Sequence, residues 1–287
     1  MALIVPAYAK LNLTLDVLGR RPNGYHDIDS VMQTISLHDL LSIERSDCRV
    51  FDVVGPSIAG ENLVLKAARE LEGRIGRALP FTMRLFKRIP IGSGLGGGSS
   101  DAASFLLAAN QLYGLKLTWE ELVGLGKEIG QDVPFFLRGG TGHATGLGST
   151  VAPLPSVPSS WRFLVVCPAV EISTRAVYER VDENTLGAAR TPKLVEDLTT
   201  PHPDRPPKGR REMVLGNDLE PVSRQLFPAL NEAIERLRTI IPQLQMTGTG
   251  AGLFAVFQDR KQAASALASV RELRYPAWVC RPVPAFA

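Results

Sequence analysis

Apolar and polar residues alternate from 11 to 18 in the pattern of a strand with one buried face. Arg20-Arg21-Pro22-Asn23-Gly24 interrupts them, and a β-leaning apolar run resumes over 30–43. A strand, a turn and a second strand are predicted. Over 62–71 the spacing changes: Leu63, Ala67, Ala68 and Leu71 share one face of a helix. Phe81, Met83 and Leu85, alternating with Thr82, Arg84 and Lys87, return to a strand. After a glycine run, Ala102, Ala103, Phe105, Leu106 and Ala109 mark a helix over 101–112, and Thr118-x-x-Glu121 is the capping-box signature of another, reaching 129. The Pro/Ser-rich stretch 151–160 can neither continue a helix nor sit in a central strand, so a boundary between two units, 1–154 and 155–287, is expected there. Beyond it the pattern predicts a buried strand at 161–167, a helix at 226–240, an apolar strand at 253–257 and a helix at 261–273. Residues 191–211, rich in Pro, Arg and Lys, read as a mobile surface connection with at most one short helix.

With 287 residues, 45% hydrophobic and 21% charged, the chain can bury a sizeable core, which excludes the disordered and fibrous classes. Its longest apolar runs, such as 163–167 and 253–257, fall far short of the roughly 18–20 residues that span a bilayer, so no membrane helix is expected. Lys10 precedes any apolar stretch of useful length, and no secretory signal is expected. Three scattered cysteines, at 48, 167 and 280, make no disulfide framework and point to a reducing cytoplasm. The histidines at 26, 38, 143 and 202 form no zinc signature, and no protein-held metal is expected. The net charge of +3 is a modest surplus that suits an anionic small molecule and lacks the basic stripe of a nucleic-acid binder.

The most informative segment runs from Pro90 to Ser100, where five glycines in seven residues lead into an alanine-rich helix. Bare backbone can close around a ligand, aim successive N–H groups inward and set an anion at the positive end of the following helix. That is a phosphate cradle. Gly92-x-Gly94-x-x-Gly97 satisfies the dinucleotide pattern literally, but the preceding strand is amphipathic and interrupted by Pro90, and no Gly-Lys-Ser/Thr follows as a P-loop would need. Asp132, in Gly130-Gln-Asp-Val-Pro134, could accept a proton in a cleft or cap backbone N–H groups at a turn. Lys10 sits in a strand-like run, where a lysine ordinarily faces solvent from an edge; yet Lys10 and Asn12 share a sheet face with Tyr8 and Thr14, as the wall of a site would. Asn23 to Asp27 is a turn carrying Tyr25 and His26, either a hairpin connection or a binding loop. Thr247-Gly-Thr-Gly-Ala-Gly252 reads alone as a tight turn.

Together, Lys10-Leu-Asn12, the 90–100 loop, 130–134 and 247–252 resemble the GHMP kinases, the superfamily of galactokinase, homoserine kinase, mevalonate kinase and phosphomevalonate kinase, in order and spacing over about residues 7–257. The resemblance implies a two-domain α+β fold with a catalytic cleft between the domains, and ATP-dependent phosphorylation of an alcohol with Mg2+. It implies Asp132 as general base with Lys10 beside it, and an ATP site made of Lys87, Pro90, Ile91, Gly92, Ser93, Gly94, Leu95, Gly96, Gly97, Gly98, Ser99 and Ser100. Arg21-Pro-Asn-Gly-Tyr-His26 further resembles the branch that phosphorylates the 2-hydroxyl of a cytidine-diphosphate-linked methylerythritol in non-mevalonate isoprenoid synthesis, which implies Asn12, Tyr25, His26, Thr174 and Tyr178 on the acceptor side. Asp101 stands where some members have asparagine and is left out of the ATP contacts, since an acid beside phosphates repels them. The alternatives are a sister kinase of the homoserine or mevalonate type, whose substrate has no base to stack, and a nucleotide-binding protein without catalysis. The expected partners are ATP and a small-molecule substrate, with no nucleic acid and no membrane, in a monomer or homodimer.

Overall fold

The computed structural model describes residues 2–57, 60–182, 185, 187, 189–200 and 214–286. The first strands follow the predicted alternation but run longer: β1 (Leu3–Asn12), β2 (Thr14–Arg20) and the 20-residue β3 (His26–Arg45). β3 is the spine of the first sheet. It pairs antiparallel with β1, β2, β5 (Phe81–Phe86) and β6 (Thr141–Gly146) along successive stretches. β4 (Val50–Val54) adds parallel to β5, and β7 (Thr150–Leu154) closes on β6.

Against this sheet packs a helical layer. In α1 (Leu63–Ile75), Asn62 caps the first turn and left-handed Gly76 ends it; in α3 (Trp119–Ile129) the capping box of Thr118 and Glu121 is present as expected. Between them α2 (Gly97–Tyr113) begins within the glycine run, earlier than predicted. α4 (Val133–Arg138) is a short helix that periodicity did not reveal, with Pro134 in its first turn.

A second sheet, in the order β10 (Gln245–Met246), β11 (Leu253–Phe257), β8 (Arg162–Val166) and β12 (Ala277–Cys280), is backed by α9 (Arg260–Glu272) and follows the 155–161 connection. The predicted helix at 226–240 is α8 (Pro228–Arg238), and ahead of it stands a helix that the pattern did not predict, α7 (Leu219–Leu226). Phe227, ahead of a proline, is extended at φ −124° and ψ 86°, which breaks the helix there. The halves are not cleanly separate. Gly216–Asn217 (β9) pairs with β2, and one apolar cluster joins Ala9, Leu11, Val31 and Ile35 to Phe163, Val165 and Phe254. α5 (Thr174–Glu179) and α6 (Arg190–Thr199) complete the elements used below. The short helix allowed for in 191–211 is α6, anchored by the buried Thr191 and Leu194; 201–211 lie outside the described residues. Among the described residues no helix is long and apolar enough to cross a membrane.

Candidate active site

Lys10 does not face solvent. Its side chain is 5% exposed, the ammonium donates to Asn12 Oδ1 at 2.5 Å and stands 3.7 Å from the Asp132 carboxylate. Asp132 occupies the N-cap position of α4 but makes no capping bond, and its side chain is 34% exposed. The carboxylate is therefore open to a ligand, with a buried cation beside it. Asn12 is held from three directions: its backbone N–H donates to Thr247 Oγ1 at 2.8 Å, its amide donates to Ser30 Oγ at 2.8 Å, and its carbonyl takes Lys10. Ser30 Oγ passes the chain to Thr14 O, and Thr191 Oγ1 donates to Thr14 Oγ1 at 2.8 Å, so the first turn of α6 joins the same network. Tyr8 is not part of this wall. The β1–β3 register shifts between Tyr8 and Ala9, and the Tyr8 ring goes to His38 and Phe286 instead.

The glycine run becomes a rigid cradle through its neighbours. Gly94 and Gly96 both sit at φ 72°. A Cβ on Gly94 would lie 2.5 Å from the carbonyl of Thr247, and one on Gly96 would lie 2.7 Å from the Phe136 ring and 3.2 Å from Lys10 Cγ. Gly252 N–H donates to Ser93 O at 3.0 Å, and Lys10 N–H to Leu95 O at 3.0 Å. The 247–252 loop, a bare turn in the sequence, is thus the outer clamp of the cradle. Gly96 caps α2 with no side chain, so the first N–H groups of the helix are left for a ligand. Ser99 is half-buried on that first turn; the Ser93 hydroxyl is spent on Pro90 O at 2.7 Å, and Ser100 is buried.

Lys87 is not brought to the cradle's open face. Its ammonium is buried beneath the start of α2, bound to Asp39 and, at 2.7 Å, to Asp101. Asp39 also accepts the N–H groups of Arg88 and Ile89, so this cluster anchors the strand exit into the loop. Asp101 faces this lysine, away from the cradle mouth; burial, and the nearby charge of Asp39, push its carboxyl up to about 8 against the pull of Lys87.

His26 and Tyr178 come together although 152 positions part them: their rings stack at 5.7 Å and 30°. Both ring nitrogens of His26 are buried without a partner. Burial, helped by the charge of Arg20, lowers its pKa, so the imidazole stands neutral. Burial raises the Tyr178 phenol, and the charge of Asp132 adds to it. Thr174, on the same short helix as Tyr178, meets Thr249 of the clamp loop at 3.0 Å. Tyr25 joins neither ring; it is 62% exposed on the turn beside them.

Residues 62–140 match the GHMP kinases N terminal domain and residues 207–275 the GHMP kinases C terminal domain. The 4-diphosphocytidyl-2-C-methyl-D-erythritol kinase of Ralstonia nicotianae is 41% identical over 270 residues, 92% of this chain and 88% of that protein. The chain belongs to the 4-diphosphocytidyl-2-C-methyl-D-erythritol kinase family of GHMP kinases. A solved 4-(cytidine 5'-diphospho)-2C-methyl-D-erythritol kinase superposes with a TM-score of 0.81 at 32% identity, covering 98% of this chain and 99% of that one. Homoserine kinase from Cytophaga hutchinsonii shares the GHMP fold at a TM-score of 0.66 and 17% identity, covering 99% of this chain and 95% of its own.

Within this GHMP frame one feature of the site had no signal in the sequence. A cavity of about 410 Å³, lined by Phe51, Val53, Gly55, Pro56, Ser57, Gly60 and Asn62, opens beside the cradle. Leu63 lies 3.5 Å from where a Cβ of Gly98 would be, and Lys87 Cβ 3.1 Å from that of Gly55. The parallel pairing of β4 with β5 that sets this stretch next to the glycines is not visible in the chain.

Proposed function

We propose that this chain transfers the γ-phosphoryl group of ATP to the 2-hydroxyl of 4-diphosphocytidyl-2-C-methyl-D-erythritol. The observation that carries the acceptor is the His26–Tyr178 pair: a partly buried aromatic wall ending in an imidazole whose two nitrogens are buried and lack partners. A buried polar group without a bond is costly, and a flat base with donors and acceptors on its edge supplies both the stack and the bonds. Homoserine and mevalonate offer no ring for it. On the donor side, the unfilled N–H groups of α2 suit the ATP phosphates, and the cavity of about 410 Å³ beside them suits the adenine.

Phosphoryl transfer needs in-line positioning and charge stabilisation more than covalent chemistry. Asp132, open to the cleft and 3.7 Å from Lys10, accepts the proton of the substrate hydroxyl as its oxygen attacks the γ-phosphorus and the bond to the β-phosphate oxygen breaks. Lys10, kept from solvent and aimed by Asn12, orients that hydroxyl and offsets charge on the transferring group. Among the described residues no group of three or more His, Cys, Asp or Glu could cage a metal. The Ser99 hydroxyl, half-buried on the first turn of α2, would be a protein donor to an Mg2+ ion, which would supply neutralisation of phosphate charge. Residues 1–154 supply Lys10, the cradle, His26 and Asp132, and 155–287 supply Thr174 and Tyr178. The free thiols of Cys48, Cys167 and Cys280 suit a reducing cytoplasm.

The test is ADP release from Mg-ATP with 4-diphosphocytidyl-2-C-methyl-D-erythritol, homoserine and mevalonate compared at equal concentration. Turnover with the first alone is expected; turnover with either of the others at a similar kcat/KM overturns the assignment of the acceptor.

A further inference from the structure

The segment after β12 returns to the first half of the chain and touches both elements that carry the catalytic pair. β1 and β3 pair continuously except between Tyr8 and Ala9, where the partner jumps from His38 to Ile35 and leaves Ser36 and Leu37 of β3 without a place on β1. The later chain takes over there. Ser36 N–H donates to Arg281 O at 3.0 Å, Val283 N–H donates to Thr34 O at 2.9 Å, and Gln33 Nε2 and Thr34 Oγ1 donate to Val283 O, each at 3.0 Å. Thr34 is the residue opposite Lys10 in the sheet.

From β3 the segment crosses to the far end of α4. Phe286 N–H donates to Arg138 O at 2.7 Å, satisfying one of the carbonyls a helix leaves open at its C-terminus, and Ala285 bridges Gly139. The Phe286 ring stacks on Tyr8 at 5.8 Å and 27°, two residues before Lys10, and lies so close over Gly139 that a Cβ there would be 2.8 Å away. On Gly140 a Cβ would lie 2.7 Å from the Ala285 nitrogen. One aromatic ring therefore rests on the strand that carries Lys10 and on the end of the helix that carries Asp132. A helix of 6 residues is too short to hold its own geometry, so its orientation depends on what grips its ends.

We propose that residues 281–286 form a strap that sets α4 against β1, and that Phe286 is a positioning residue for the Lys10–Asp132 pair. Because Arg281, Pro284 and Ala285 are exposed and Val283 is the one buried member among 281–286, the strap adds little to the core. Its contribution is alignment, to which phosphoryl transfer is sensitive: an error of about 1 Å costs up to 100-fold. The proposal rests on Asp132 as proton acceptor, which Asp132→Asn tests independently.

The experiment compares Phe286→Ala and Phe286→Leu in the full chain by steady-state kinetics, ATP affinity by calorimetry and thermal melting. Phe286→Ala is expected to lower kcat about tenfold while the Kd for ATP stays within about twofold, and Phe286→Leu, which restores most of the volume, to recover most of the rate. A kcat for Phe286→Ala within about twofold of the parent, or equal losses of kcat and ATP affinity, overturns the positioning role. If Phe286→Ala does not fold, Tyr8→Ala reads the same contact from β1: it is expected to lower kcat with ATP affinity retained, and an unchanged kcat overturns the proposal.

Discussion

Two aspartates show how surroundings divide one side-chain type into different tasks. Asp132 is a third exposed beside a buried lysine, whereas Asp101 shares the ammonium of Lys87 with Asp39 and leaves its Oδ1 buried without a partner. Removing the first carboxylate while keeping its shape, as Asp132→Asn, is expected to lower kcat by at least about 100-fold with little change in ATP affinity, measured by the ADP-release assay and calorimetry. For the second, the expected effect is on stability against pH. The carboxyl of Asp101 is raised to about 8, above its unfolded value, so between about pH 4 and 8 the native state binds a proton that the unfolded chain has released. Native stability from this group therefore falls as pH rises through that window. Asp101→Asn removes the dependence, and its melting temperature relative to the parent is expected to increase steadily from pH 5 to pH 8; a difference that stays flat would mean that Asp101 is ionised throughout.

At the scale of elements, the junction of loop and helix at 94–98 carries the site. Gly96 and Gly98 are two positions apart but bound by different constraints. Gly96 is left-handed and wedged between Phe136 and Lys10, whereas Gly98 is helical, with Leu63 no closer than 3.5 Å to where an added methyl would sit. Gly96→Ala is expected to cost ~1–3 kcal/mol in chemical denaturation, from strain and overpacking, and to lose turnover with it. Gly98→Ala is expected to keep or slightly raise stability, because alanine is the better helix former, yet to raise the KM for ATP by crowding the phosphates. Equal stabilities for the two variants would contradict the wedge. The glycine run itself was plain in the chain because it is local. Where the helix starts was not, since Gly97 and Gly98 are poor helix formers that adopt the helix only because α2 packs on β1 and β3.

For the whole molecule, the proposed acceptor site is built where the two halves meet, with His26 from β3 and Tyr178 from α5. Tyr178→Ala is expected to raise the KM for the cytidylyl substrate at least about tenfold and leave the KM for ATP unchanged, since a lost aromatic stack and wall amounts to a few kcal/mol at one end of the cleft. Similar increases for both substrates would place Tyr178 outside the acceptor site. Much of this arrangement was legible beforehand. The 90–100 glycines read as a phosphate cradle from their neighbours alone, whereas Lys10-Leu-Asn12, Asp132 and the Tyr25-His26 turn are ambiguous singly and take their roles from the order and spacing of the motifs together. The capping box at Thr118 and the alternation of β5 are legible from close neighbours, as the glycines are. What the linear chain left open were matters of distance in space. It could not show that Lys10 is buried and paired, that Lys87 is turned beneath α2 toward two aspartates, or that the 247–252 turn clamps the cradle. It also gave no sign that Phe286 comes back to the catalytic helix. Local sequence thus determined which chemical groups are present and which short segments bear them. Only the packing of β1 and α2 on the spine of β3, and of α4 on α2, through contacts between elements distant in the chain, decided which of those groups face the cleft and which hold it in shape.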